Sequence, residues 1–91
     1  MYLYLGQKTE INTNDIIGVF DLDTATVKKP TREFLSKTEK EGKTVEVIGD
    51  DLPKSFILEH KKGSDRVYIS QIAPATVLKR INNANMDVKE K

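Results

Sequence analysis

The 91-residue chain contains no cysteine. That excludes disulfide frameworks, thiolate metal sites and thiol nucleophiles, and a domain this small must then hold itself together by packing or with a partner chain. No apolar run approaches the roughly 18 residues of a membrane span. The apolar start, Met1 to Leu5, has no basic lead-in, so it is not expected to be a signal peptide, and a cytoplasmic protein without a membrane partner is the expectation. Neither sign of charge dominates: 15 Lys and Arg face 14 Asp and Glu, a net charge of +1, with an isoelectric point near 7.9. A domain that coats DNA by being basic all over would sit above about 9, so only a local basic patch remains open. Neither glycine-rich phosphate motif is present, which leaves nucleotide binding at a helix N-terminus unsupported.

Hydrophobic residues make up 37% of the chain and charged residues 32%, enough for one small core. A fold of this size buries roughly 60–70% of its unfolded surface. Tyr2-Leu3-Tyr4-Leu5, closed by Gly6, reads as a short buried strand, with Gln7-Lys8 as a turn and Thr9-Glu10-Ile11 as the return. Asn12 to Asp15 is a turn cluster, because such side chains bond their own backbone. Ile16 to Phe20 is an interior strand, in which Gly18 suggests a bulge or a close approach. Asp23 to Lys29 reads as a loop. Pro30 suits the first turn of a helix running through Glu41, and Gly42 suits its C-terminal cap. Thr44 to Ile48 is a strand and Gly49 to Pro53 a turn. Ser55 to His60 and Arg66 to Ser70 are strands joined by a hairpin loop, Lys61 to Asp65. Pro74 opens a last helix with Val77, Leu78 and Ile81 on one face, which Asn82 to Asn85 should break. The predicted fold is α+β: a single domain over residues 1–83, a mainly antiparallel sheet of about six short strands with two helices, and a frayed polar tail over 84–91.

Chemistry is sparse. The one histidine, His60, needs a nucleophile or a carboxylate held beside it for catalysis. Glu59 is adjacent but on a strand points to the opposite face, so a solvent-facing hairpin histidine is the simpler reading. Asp50-Asp51 and Asp21-Leu22-Asp23 lack the spacing of a calcium loop and read as solvated turn residues. No catalytic, metal-ligating or cofactor-binding residues are assigned, and no cofactor is expected. Basic residues cluster as Lys28-Lys29 with Arg32, Lys61-Lys62 with Arg66, and Lys79-Arg80. Each cluster sits among acids, but repetition around a symmetric assembly would turn one cluster into a multivalent track. The strand aromatics read mainly as core. Tyr2 and Tyr4 share a face and suit burial against a neighbouring subunit, where tyrosine is favoured.

Three stretches resemble the RemA/RemB family of extracellular-matrix regulatory proteins, small bacterial proteins tied to biofilm matrix gene expression. Asn12 to Val19 is similar to the family's N-x-N/S-x-I-I-x-I segment. The Pro30–Gly42 helix is similar to its central helix. Val67-Tyr68-Ile69-Ser70, Ile72 to Val77 and Lys79-Arg80-Ile81 are similar to its V-I-L-S…V-x-P-E-T-V-x-x-R ending. The Tyr2–Gly6 start and the Pro53-Lys54-Ser55 step resemble the RemB branch more closely. The resemblance implies a non-enzymatic cytoplasmic regulator that assembles into rings and, in the RemA branch, binds DNA through arginines repeated around the ring. Here Asp15, Asp50 and Asp51 stand at the family's basic positions, where carboxylates repel the phosphates that supply most DNA affinity. Arg32 and Lys54 fall near other basic positions of the family, and with Lys61 and Lys62 they are the expected nucleic-acid contacts. Tyr2 and Tyr4 are the expected oligomer interface. The expected partners are copies of the chain, then DNA or other regulatory proteins. A thin core and apolar edge strands support self-assembly, and Tyr4→Asp is expected to disrupt both the fold and the assembly.

Overall fold

The structure, a computed structural model, describes residues 2–6, 9–48 and 52–89, with side chains to residue 83. The expected turn at Gln7-Lys8 and the Asp50-Asp51 pair lie outside the described residues. The chain runs β1 (Tyr2–Gly6), β2 (Thr9–Asn12), a 3₁₀ turn (Thr13–Asp15), β3 (Ile16–Asp21), α1 (Leu22–Ala25), α2 (Lys29–Lys40), β4 (Thr44–Val47), β5 (Ser55–Lys61), β6 (Ser64–Ser70) and α3 (Pro74–Lys89). The six strands form two sheets: β1 pairs with β2, and a four-stranded sheet runs β3-β5-β6-β4. Every pairing is antiparallel except β4 with β6. The α+β class and the six strands are as the sequence predicts.

The two faces of the larger sheet follow from its register. Val19, Ile57 and Tyr68 line up across β3, β5 and β6, and Val45 lies beside Tyr68. This row meets the β1–β2 hairpin and α3, so that Leu3, Leu5, Ile11, Val47, Ile57, Tyr68 and Val77 make one buried cluster. The opposite face carries Phe20, Phe56 and Ile69 in register. Phe20 and Phe56 stack there, with ring centroids 4.8 Å apart, and Ala25, Pro30 and Phe34 from α1 and α2 help line the apolar cleft over them.

Local chemistry explains the joints. The Asn12 side chain accepts from the Asn14 amide at 3.0 Å, the turn chemistry expected of that cluster. Gly18 meets both of its expectations. The register slips by one residue between Ile16 and Gly18, and a Cβ at Gly18 would lie 2.7 Å from the Phe20 ring. Gly42 (φ 72°) ends α2 in a Schellman arrangement, with the Lys43 amide on the Thr38 carbonyl and the Gly42 amide on that of Glu39. Ser55 and Ser70 face each other across the ladder. Ser55 donates to the Ile72 carbonyl at 2.7 Å and Ser70 accepts the Ile72 amide at 3.0 Å, which fixes the turn into α3.

Four expectations change. Part of the Asp23–Lys29 loop is the helical turn α1, capped by Asp21, whose carboxylate accepts the Thr24 amide at 3.1 Å. The hairpin loop shrinks to Lys62 and Gly63, with φ of 53° and 76°. Positive φ at both central residues marks a tight two-residue turn matched to strand twist. α3 continues to Lys89, past the predicted stop at Asn82. In β1 the buried residues are Leu3 and Leu5, whereas Tyr2 and Tyr4 are 64% and 56% exposed.

Candidate nucleic-acid interface

The tight turn decides the chemistry of the β5–β6 end. Because only two residues loop out, Lys61 pairs with Ser64, His60 with Asp65, and Glu59 with Arg66. Directly opposed residues share a face and alternate rows change face. Lys61, Ser64, Glu59 and Arg66 therefore occupy one side of the hairpin, and His60 and Asp65 the other.

On the first side, Glu59, Lys61, Lys62, Ser64 and Arg66 line a shallow cleft of about 150 Å³. Lys61, Lys62 and Arg66 are exposed, while Glu59 is 6% exposed and its carboxylate accepts from the Tyr68 hydroxyl at 3.3 Å. A buried carboxylate needs such partners to offset lost hydration. The Arg66 guanidinium is held charged beyond its already high ordinary value, first by the Tyr68 side chain it hydrogen-bonds, with Glu59 adding to the effect. The cleft thus has a buried acidic floor and exposed cationic walls, and the walls are what a phosphate oxygen would meet.

On the other side, His60 Nδ1 lies 2.6 Å from the Asp65 carboxylate, both half-exposed. A carboxylate beside His60 was the missing element of a catalytic reading. It comes from across the ladder, and Glu59 points away as expected. The pair borders a cleft toward α2 that also includes Thr38, whose hydroxyl is committed to the Phe34 carbonyl at 2.8 Å. The result is a hydrogen-bonded His–Asp pair beside a hydroxyl that is already committed, without the hydrogen-bonded nucleophile and base that covalent catalysis uses. Among the described residues no three His, Asp or Glu side chains converge as a metal site, and no helix is long and apolar enough to cross a membrane.

The four expected contacts separate into two groups. Lys61 and Lys62 come together at the hairpin with Arg66. Lys54 lies at the far end of β5, where its carbonyl accepts the Leu22 amide at 3.0 Å. Arg32 belongs to that end too, and its guanidinium is used within the chain: Nη1 donates to the Thr26 and Val27 carbonyls at 2.8 Å each, closing the turn from α1 into α2. Asp15 ends the 3₁₀ turn ahead of β3. The Glu59–Arg66 and His60–Asp65 pairs were hidden while the loop was taken as five residues long. The readable signal was Lys62-Gly63, since glycine is at home at positive φ.

A family model described as "Extracellular matrix regulatory protein A-like" matches residues 3–81. The chain belongs to the RemA-like family. It is thus a member of a regulatory family of the biofilm matrix, and the matched span runs from β1 into α3, taking in both sheets and the hairpin. No curated protein matches the chain.

Proposed function

We propose that this RemA-like chain is a non-enzymatic regulator that acts as a homo-oligomer in the cytoplasm, closer in kind to the RemB branch. Family membership supports the regulatory role. The observation that carries the working surface is the hairpin: Lys61, Lys62 and Arg66 stand exposed together at one end of the sheet. One such cluster is weak, but copies brought into register multiply it. A chain of net charge +1 then presents a basic track without being a basic protein.

The hairpin also favours a second reading, in which the track meets the DNA phosphate backbone. Asp15 remains an acid at a family basic position, so contact through that turn is disfavoured and the hairpin takes its place. Arg32, held by its own loop, is removed from the contact set. The test is a mobility shift of duplex DNA from about 50 to 200 mM salt. Binding should weaken steeply with salt, and Lys61→Ala/Lys62→Ala should lower the log–log slope by about 2 for every subunit that touches the DNA, since each lost phosphate contact removes about 0.9. Arg32→Ala should leave the slope unchanged. No shift at low salt would remove the DNA reading and leave regulation through protein contacts.

A further inference from the structure

The hairpin end that carries Lys61, Lys62 and Arg66 also carries a hydroxyl. Every residue from His60 to Arg66 is exposed, so this end of β5–β6 projects beyond the core, and the nearest buried residues are Glu59 and Val67. Ser64 is the first residue of β6 and pairs with Lys61 across the ladder. Facing residues of such a pair lie on one side, and Ser64 lines the same cleft as Lys61, Lys62 and Arg66. The local sequence is Lys61-Lys62-Gly63-Ser64, a serine with cations two and three residues before it. The other serines lack this setting. Ser55 and Ser70 are fully buried and hold Ile72 at the turn into α3. Ser36 is exposed on α2, but it follows Glu33 and Phe34 and borders a cleft that contains Glu33 and Glu41.

We propose that Ser64 is a phosphorylation site, modified by a serine/threonine kinase that reads the basic pair before it, and that the phosphate switches off the contact surface of the hairpin. In the transfer, Ser64 Oγ bonds to the γ-phosphorus of ATP and the bond from that phosphorus to the β–γ bridging oxygen breaks. ADP leaves with the electron pair, and the hydroxyl proton passes to a base of the kinase. Opening the ladder as far as the His60–Asp65 pair frees no buried residue, so Ser64 becomes available through a local opening of the kind that costs least. A kinase cleft of acidic character complements Lys61 and Lys62. On the hairpin, three cations stand over one carboxylate, Glu59, a formal +2. A phosphoserine brings a charge of about −1.5 to −2 at neutral pH and three acceptor oxygens, which form charge-assisted hydrogen bonds with facing cations. The modification therefore cancels the local positive charge and occupies the donors that a DNA phosphate would meet. At Ser36 the same group would meet Glu33 and Glu41 and be repelled.

This inference rests on the DNA reading of the hairpin, and the test separates the two. Peptide mass spectrometry of the chain isolated from its native cells, with phosphatases inhibited, should find phosphate on Ser64; a chain unmodified there would overturn the inference. Phosphoserine can also be installed at position 64 of the full chain during translation. In a mobility shift of duplex DNA this form should show a log–log salt slope lower by about 2 per engaged subunit, the loss expected when two phosphate contacts are cancelled. In phosphorus magnetic resonance its second ionisation should fall below the roughly 6 of an ordinary phosphoserine, because the cations hold the dianion. It should return there in the Lys61→Ala/Lys62→Ala background, and a phosphoserine placed at position 36 should titrate at or above that value. An unmodified chain that does not shift DNA at low salt would remove the DNA reading, and the mass spectrum and the titration would still decide whether Ser64 is a modified, cation-held site. An unmodified chain that binds, beside a phosphoserine form of equal slope and ordinary titration, would overturn the inference alone.

Discussion

Gly18 shows how one missing methyl sets a packing arrangement. Its backbone lies under the Phe20 ring, which is free to fold down onto Phe56 because no Cβ stands in the way. Gly18→Ala would put a carbon 2.7 Å from Cζ of that ring, and a ring held in a stack cannot yield without losing it. Overpacking of this kind costs about 1–3 kcal/mol, so a destabilisation near 1 kcal/mol in urea is expected. The cause can be isolated: in a Phe20→Ala background the same glycine substitution should become nearly neutral, a coupling that a double-mutant cycle reads directly. Equal penalties in both backgrounds would place the cost in the bulged backbone instead.

At the scale of elements, the β5–β6 hairpin joins stability to the proposed contact with DNA. Lys62 is the one described non-glycine residue at positive φ, a conformation that costs a residue with a Cβ about 1–2 kcal/mol. Asparagine tolerates it better. Lys62→Asn should therefore raise the melting temperature while lowering the salt slope of DNA binding by about 0.9 per engaged subunit, an exchange of binding for stability; a lower melting temperature would contradict the strain at Lys62. The hairpin is also where sequence reading reached its limit. Both strands were legible from β-branched and aromatic runs, as were the Pro30 start and Gly42 stop of α2, because those signals are local. The loop was read as five residues, since Lys61 to Asp65 is polar throughout and polarity does not distinguish a loop from a wet strand end. That error of register hid His60–Asp65 and Glu59–Arg66, the pairs that define the two clefts. In the same way, Asp21 and Thr24 carried a capping signal for α1 that the threonine-rich composition obscured. α3 passed Asn82 because asparagine only weakens a helix interior.

For the molecule as a whole, the question is whether two sheets make one cooperative unit. The β1–β2 pair shares no strand ladder with the larger sheet, yet Leu3, Leu5 and Ile11 share a buried cluster with Ile57 and Tyr68 of that sheet and Val77 of α3. Apolar contact, not the hydrogen-bond ladder, therefore ties the small sheet to the rest. The alternation within β1 makes this testable on neighbouring residues. Leu3 is 3% exposed, and Leu3→Ala should cost about 2–5 kcal/mol through lost burial and the cavity left behind. Tyr4 faces outward, so Tyr4→Asp should leave the fold intact, contrary to the expectation from sequence that it would unfold the chain, and its effect should fall on self-association. The Leu3→Ala transition should also remain single, with circular dichroism and tyrosine fluorescence coinciding, because no described contact allows the hairpin to peel away without exposing Ile57 and Val77. Two separated transitions would instead show the β1–β2 pair to be an independently melting flap.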